Sequence, residues 1–162
     1  MNALAVAILG YVTLERLAEL LLARSNTRKL LAKGATEHSA GHYPLIVAVH
    51  ALWIVTLWVL AIGRPPDLFW LAMYVILQAA RFWVLATLGG RWTTRIITLP
   101  GENLVKEGPY RLLNHPNYWV VAGEIAVLPL VFGLPLVALI FTILNDVALA
   151  IRIREENRAL AR

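Results

Sequence analysis

Residues 118–151 form an almost wholly apolar run of 34 residues. As one helix it would be about 51 Å long at 1.5 Å per residue, against a hydrocarbon core about 30 Å thick. Pro129, Gly133 and Pro135 fall near its middle and break it. The run therefore reads as a helical hairpin, with helices over 116–131 and 135–154. Three further apolar stretches precede it, at 3–23, 45–62 and 68–88. The chain is 59% hydrophobic and only 15% charged, whereas soluble domains run nearer half apolar and a quarter charged. A soluble core of 162 residues could not hide that much apolar surface, so lipid is the expected solvent. The fold class that follows is an all-α integral-membrane bundle of five transmembrane helices. It forms one domain over 1–162, with no internal repeat, low-complexity tract or boundary.

The basic residues orient the bundle. Arg24, Arg28, Lys29 and Lys33 follow the first stretch, Arg91, Arg95, Lys106 and Arg111 the third, and Arg152, Arg154, Arg158 and Arg162 end or follow the fifth. All twelve fall on one side if the N-terminus is outside, and the opposite loop offers only Arg64. The positive-inside rule then puts both long loops and the C-terminus in the cytoplasm. This distribution accounts for the pI near 10 without nucleic acid as a partner. The first stretch is not expected to be a cleaved signal peptide, because it lacks a basic start and carries Glu15, Arg16 and Glu19. With no cysteine there is no disulfide framework or thiolate metal site, and no His/Asp/Glu spacing matches a metal site.

Residues 89–115 make the longest segment outside the apolar stretches. Through Tyr118 they hold four glycines and three prolines, interleaved with Trp92, Ile96, Ile97, Leu99, Leu104, Val105 and Tyr110. A loop that apolar should fold against the bundle or the interface, and long packed loops are often functional. It ends in "GPYRLLNHPNYW". Asn114 is placed to cap the fourth helix and Pro116 suits its first turn. His115 and Tyr118, three apart, share one face. The bland alternative is a capped helix with interfacial aromatics.

At the other end, "RIREENRAL" closes the fifth helix. Asn145, Arg152 and Glu156 share a face, while Glu155 points about 100° away. Within the spans, Tyr11, Glu15 and Glu19 recur every four residues, with Asn26 continuing the stripe, and Arg16 can pair with Glu19. Gln78, Arg81, Glu124, Asn145 and Asp146 add to them. Charges in hydrocarbon cost about 2.5–3.5 kcal/mol each, so these groups should face the interior and find partners. Arg81 can take Asp146 or Glu124. His50 reads as packing or a hydrogen bond.

"LVKEGPYRLLNHPNY", a helical hairpin and "RIREENRAL" together resemble the C-terminal signature of isoprenylcysteine carboxyl methyltransferases. That signature is a Gly-Pro-Tyr turn, an Arg-His-Pro-x-Tyr segment and a Glu-Glu-x-x-Leu helix end. The matches are Gly108-Pro109-Tyr110, His115-Pro116-Asn117-Tyr118 and Glu155-Glu156, with Leu160 one residue further along than in the pattern. The likeness covers about 91–160, and "RWTTRIITLPGENLV" looks like the family's short bacterial branch. It implies an integral membrane methyltransferase, in the inner membrane of a bacterium. Its cofactor would be S-adenosylmethionine, with S-adenosylhomocysteine as product, bound on the cytoplasmic side. Carried over residue by residue, Leu104, Val105 and Gly108 would offer backbone contacts. Tyr110, His115, Tyr118, Glu155 and Glu156 would offer side chains. A sulfonium suits tyrosine faces and a carboxylate, and the cofactor's own carboxylate suits a helix N-terminus.

Methyl transfer needs alignment above all, and a neutral phenol would also need a base, for which His115 or a nearby glutamate is placed. Position and charge put Trp92, Arg91 and Arg95 near the mouth for a lipophilic acceptor drawn from the membrane lipid, and Glu15 and Glu19 are further candidates to contact it. Arg95 or Arg91 would steady an oxyanion. Asn114 stands where the signature has Arg. That removes a cation expected for a prenylcysteine carboxylate and favours an alkylpyrone- or alkylresorcinol-like lipid. Two other readings stay open. One is an NADPH-dependent reductase of the sterol reductase type, which shares a related His-Pro-x-Tyr helix start. The other is a non-enzymatic membrane scaffold.

Overall fold

A computed structural model describes residues 1–38, 41 and 43–160. Arg162, one of the twelve cations used for orientation, lies outside the described residues. Five α-helices run in the order α1 (Ala3–Ala32), α2 (Tyr43–Ala61), α3 (Leu68–Leu88), α4 (Pro116–Val131) and α5 (Pro135–Ala159). Two three-residue strands, β1 (Thr36–His38) and β2 (Ile96–Thr98), pair antiparallel with Thr36 opposite Thr98. They tie the α1–α2 connection to the long α3–α4 segment.

The ends of the helices follow from local chemistry. Asn2 caps α1, its Oδ1 accepting from the backbone N–H groups of Leu4 and Ala5 at 3.0 and 3.1 Å. Nothing in residues 24–32 breaks a helix, so α1 runs nine residues beyond the expected 3–23 and reaches the polar end of the bundle. Asp67 caps α3 in the same way. The long apolar run breaks after Val131, where Gly133 takes φ +64° and Pro135 opens the next helix. Pro129 itself stays inside α4. α5 continues past the expected residue 154 to Ala159.

Three helices are long and apolar enough to cross a membrane: α2, α3 with its 3₁₀ extension to Arg91, and α5. α4 is apolar but has 16 residues, about 24 Å. α1 carries interior charges and does not qualify by composition. Around the bundle, Leu14, Leu21, Val59, Leu68, Phe69, Leu136 and Leu139 are exposed, whereas Trp53, Leu57, Ile125, Leu128 and Phe132 are buried. Apolar side chains thus cover the outside as well as the core, as a lipid solvent requires.

Charge is concentrated in the centre. Arg81 donates to Glu19 through Nε and Nη2, and to Glu124 Oε2 through Nη1 at 2.8 Å. Arg16 donates to Glu124 Oε2 at 2.7 Å and to Glu19 Oε2 at 3.2 Å. Gln78 donates to Glu124 Oε1 at 3.1 Å and Tyr11 donates to Gln78 at 3.3 Å. Two arginines thus balance two glutamates across α1, α3 and α4. Arg81 takes Glu124 and not Asp146, which is exposed on the far side of α5. α4 can bring Glu124 this close because Gly123 lies on α3: a Cβ there would meet Leu77 Cδ2 at 2.8 Å.

Candidate functional site at the polar end of the bundle

The α4 start differs from expectation in one detail. Pro116 is the first helical residue, so His115 is the N-cap, at φ −134° and ψ 61°, and it makes no side-chain cap. Asn114 falls one position too early to cap, because the residue before a proline is driven out of the helical region. Pro116 has no N–H and that of Tyr118 donates to the His115 carbonyl at 3.1 Å, so the Asn117 N–H is the first-turn donor left without a partner among the described residues, beside a cavity of about 200 Å³ that Asn117 lines.

That cavity joins the two distant segments. Its walls include Leu104, Val105, Tyr110, His115, Tyr118 and Glu156. Tyr118 donates its hydroxyl hydrogen to Glu156 Oε2. His115 stacks on Tyr118 with ring centres 5.3 Å apart, and its Nδ1 lies 3.7 Å from Glu156 Oε2. Its Nε2 reaches Asn157 Oδ1 at 3.2 Å. Burial, with the Glu156 carboxylate adding to it, pushes the Tyr110 phenol up to about 12, so it stays a neutral hydrogen-bonding group at physiological pH.

Gly108 and Glu155 are absent from the cavity wall. Gly108, at φ +50°, seats the Gly-Pro-Tyr turn on α3, where a Cβ would meet Thr87 Oγ1 at 2.6 Å and Trp83 Nε1 at 3.1 Å. Gly108→Ala should cost about 1–3 kcal/mol from the left-handed backbone and the overpacking combined. A lower melting temperature with unchanged helix content would show it. Glu155 pairs with Arg158 at 2.7 Å. Arg91 and Arg95 rim the cavity in ion pairs, with Glu102 at 2.8 Å and Glu37 at 2.9 Å.

A second cavity, about 250 Å³, lies between α1 and α2. It is lined by Glu19, Arg16 and Arg81 together with Leu17, Val47 and Ile54. Leu17 and Val47 are also exposed on the outside, so the cavity opens toward the surface that lipid would cover. Glu15 is not in either wall; its carboxylate is buried without a hydrogen-bond partner among the described residues. Trp92, Thr93, Asn117, Tyr118 and Arg152 line both cavities and form the partition between them. Asn26 fixes that partition by donating to the carbonyls of Gly89 and Trp92 at 3.1 and 2.9 Å.

Arg152 was not singled out from sequence as a site residue. It is 8% exposed. Its Nε donates to the Tyr118 hydroxyl at 2.7 Å and its Nη1 to the Thr94 carbonyl at 2.6 Å. Among the described residues no carboxylate pairs with it directly; Tyr118 stands between it and Glu156. The signal was the shared face of Asn145, Arg152 and Glu156, masked by the use of Arg152 as a topology cation.

The bundle is a helical protein of membrane type with two adjoining cavities toward one end. The isoprenylcysteine carboxyl methyltransferase (ICMT) family profile matches residues 70–162. The chain is also 40% identical over 158 residues to the uncharacterized protein YpbQ of Bacillus subtilis (strain 168), covering 94% of each. It belongs to the ICMT family and is a membrane methyltransferase in the general sense that the family defines. No solved structure matches it.

Proposed function

We propose that the protein transfers a methyl group from S-adenosylmethionine to an oxygen of a lipophilic acceptor, with the donor in the first cavity and the acceptor in the second. The observation that carries this reading is the shared wall: five residues face a polar cavity on one side and a lipid-facing cavity on the other. The first cavity suits the donor chemically. Tyr110 and Tyr118 offer ring faces and Glu156 a carboxylate to a cation. The α4 N-terminus offers the Asn117 N–H and the positive end of the helix dipole to a carboxylate.

When bound, S-adenosylmethionine supplies an electrophilic methyl group on a sulfonium. The chain's own task is then alignment, which converts a bimolecular step to a unimolecular one. Tyr118 is held from both sides, by Glu156 and by Arg152, so its ring cannot drift. Arg152 keeps Nη2 free of protein partners among the described residues, at the partition, where it can steady an acceptor oxygen. Arg91 and Arg95, already ion-paired at the rim, are less available for that role. Leu104, Val105, Trp92 and His115 complete the cavity wall.

On this reading all five helices cross the inner membrane, with the N-terminus outside and the site cytoplasmic. α1 can do so because Arg16 and Glu19 are ion-paired inside the bundle while Leu14, Leu17 and Leu21 face out. The acceptor with an alkyl tail and a polar ring, of the alkylpyrone or alkylresorcinol kind, suits the second cavity, which is apolar toward the outside and polar at Glu19, Arg16 and Arg81. A prenylcysteine carboxylate is the other acceptor class.

S-adenosylhomocysteine should raise the melting temperature of the detergent-purified protein; saturation at 100 times Kd corresponds to about 2.7 kcal/mol. NADPH should leave it unchanged. A rise with NADPH alone would instead favour a reductase, though Arg154, one of the cations that reading needs for a 2′-phosphate, is exposed away from the cavities. No rise with either ligand favours the scaffold.

A further inference from the structure

The partition between the two cavities is electrically one-sided. Arg152 brings a buried guanidinium to it. The first turn of α4, which carries Asn117 and Tyr118, adds the positive end of a helix dipole. Arg16 and Arg81, deeper in the second cavity, are already balanced by Glu19 and Glu124. A sulfonium whose methyl group is to pass this wall therefore comes to rest in positive potential, and needs an oxygen to face it. Most oxygens nearby are committed. Glu156 lines the first cavity only, and its Oε2 accepts from Tyr118. The Tyr118 oxygen accepts in turn from Arg152 Nε. The Thr93 hydroxyl donates to the Arg95 carbonyl at 2.7 Å. His50 lines the second cavity from α2, outside the partition.

Asn117 is different. It lines both cavities, and its Oδ1 is buried without a hydrogen-bond partner among the described residues. No hydrogen bond ties either end of the amide to a described residue, so the group can turn about its last torsion without losing one and present its oxygen where charge arrives. A buried oxygen with no donor is unfavourable by itself, and a cation held in the wall offsets that. Asn117 also stands at the position that the His-Pro-x-Tyr pattern leaves open, so the family signature assigns it no role.

We propose that Asn117 reads the charge of the methyl donor: its side-chain oxygen faces the sulfonium at the partition and so separates S-adenosylmethionine from the neutral thioether product. This rests on the methyltransferase reading above and adds the residue that decides which form of the cofactor is held. A sulfonium has no N–H or O–H to give, so ordinary hydrogen bonds cannot select it. An oxygen dipole can, through the charge itself and through the polarised C–H groups next to sulfur. Once the methyl group has left, sulfur is uncharged and its attraction to Oδ1 is gone. Contacts that both forms share, such as those with Leu104, Val105 and Tyr110 in the first cavity, persist. Asn117 therefore favours the loaded donor over the spent one where the two compete for the same cavity.

The test titrates the full-length protein in lipid nanodiscs by calorimetry, with no methyl acceptor added. Three ligands are compared: S-adenosylmethionine, S-adenosylhomocysteine, and the neutral carbon isostere of the donor, in which CH–CH3 replaces S⁺–CH3. Asn117→Leu keeps nearly the same volume and branching and removes the dipole. It should weaken binding of the sulfonium about tenfold or more and leave the two neutral ligands nearly unchanged. Asn117→Asp has the same size and adds a negative charge, with Arg152 in the same wall to keep it ionised. It should strengthen the sulfonium relative to both neutral ligands. Circular dichroism and ligand-free melting temperature check that each variant folds, and either variant alone can carry the comparison. An equal loss on all three ligands marks a role in shaping the wall and overturns the proposal. So does unchanged discrimination in a folded variant, which would leave the sulfonium to Glu156 and the tyrosine rings. A loss shared by the sulfonium and its carbon isostere, but not by the thioether, means that Asn117 senses the shape of the methyl group and overturns it as well. If the parent protein binds none of the three, the methyltransferase reading itself fails; if it binds them and the ratios do not move, only the role of Asn117 fails.

Discussion

Tyr118→Ala should abolish methyl transfer, by about 10²-fold or more, while the protein keeps its helix content and melts within a few degrees of the parent. The size follows from what the residue holds. Tyr118 lies in the wall of both cavities, stacks on His115, and links Arg152 to Glu156 by hydrogen bonds at its single oxygen. Removing the ring merges the two cavities, unseats Arg152 and admits water. A misplacement of about 1 Å at a reacting centre already costs about 10²-fold. Folding suffers less, because Tyr118 sits in the first turn of α4, outside the main apolar cluster. Tyr118→Phe separates the two contributions. It keeps the partition and loses the hydrogen-bond relay, so it should retain more activity than the alanine variant. Transfer of radiolabelled methyl into extracted lipid, measured beside circular dichroism, checks both. Full activity in the alanine variant would remove Tyr118 from the site.

Arg81→Met should be the most destabilising single change in the bundle. Arg81 supplies three of the hydrogen bonds that hold Glu19 and Glu124, both buried. Without it Arg16 faces two carboxylates alone, and one negative charge is left uncompensated in the interior. Breaking a buried pair from one side costs about 3–5 kcal/mol, whereas replacing a whole pair by apolar groups is often neutral. The double variant Arg81→Met, Glu124→Leu should therefore recover much of the loss. Thermal unfolding in one detergent, with the single and double variants in a cycle, measures this. Equal stability of Arg81→Met and the parent would mean that water or lipid headgroups neutralise the cluster.

The parts of this architecture legible in the sequence were those set by one segment at a time. Apolar length placed α2, α3, α4 and α5 to within a few residues, apart from the C-terminal extension of α5. The three-residue spacing of His115 and Tyr118 put both rings on one face, and they stack. The four-residue spacing of Arg152 and Glu156 put both in one cavity wall. What stayed hidden depended on pairing between segments. Two strands of three residues are too short to leave an alternating pattern, so the β1–β2 link was invisible. Arg81 had two acidic candidates, and only the close α3–α4 contact at Gly123 selected Glu124. Arg152 looked like any cytoplasmic cation until its depth was known, and His50 like any buried ring until the cavity beside it was seen.

The β1–β2 link has a consequence for biosynthesis. Thr36 leaves the ribosome about sixty residues before its partner Thr98, an interval of seconds at about 5–20 residues per second. During that interval β1 has no partner strand, and Asn26 has neither the Gly89 nor the Trp92 carbonyl to bind. The cavity walls also need α5, the fifth helix in chain order. Arg152, which lines both cavities, emerges after every other residue of their shared wall, so the two openings are completed together and only once α5 has been made.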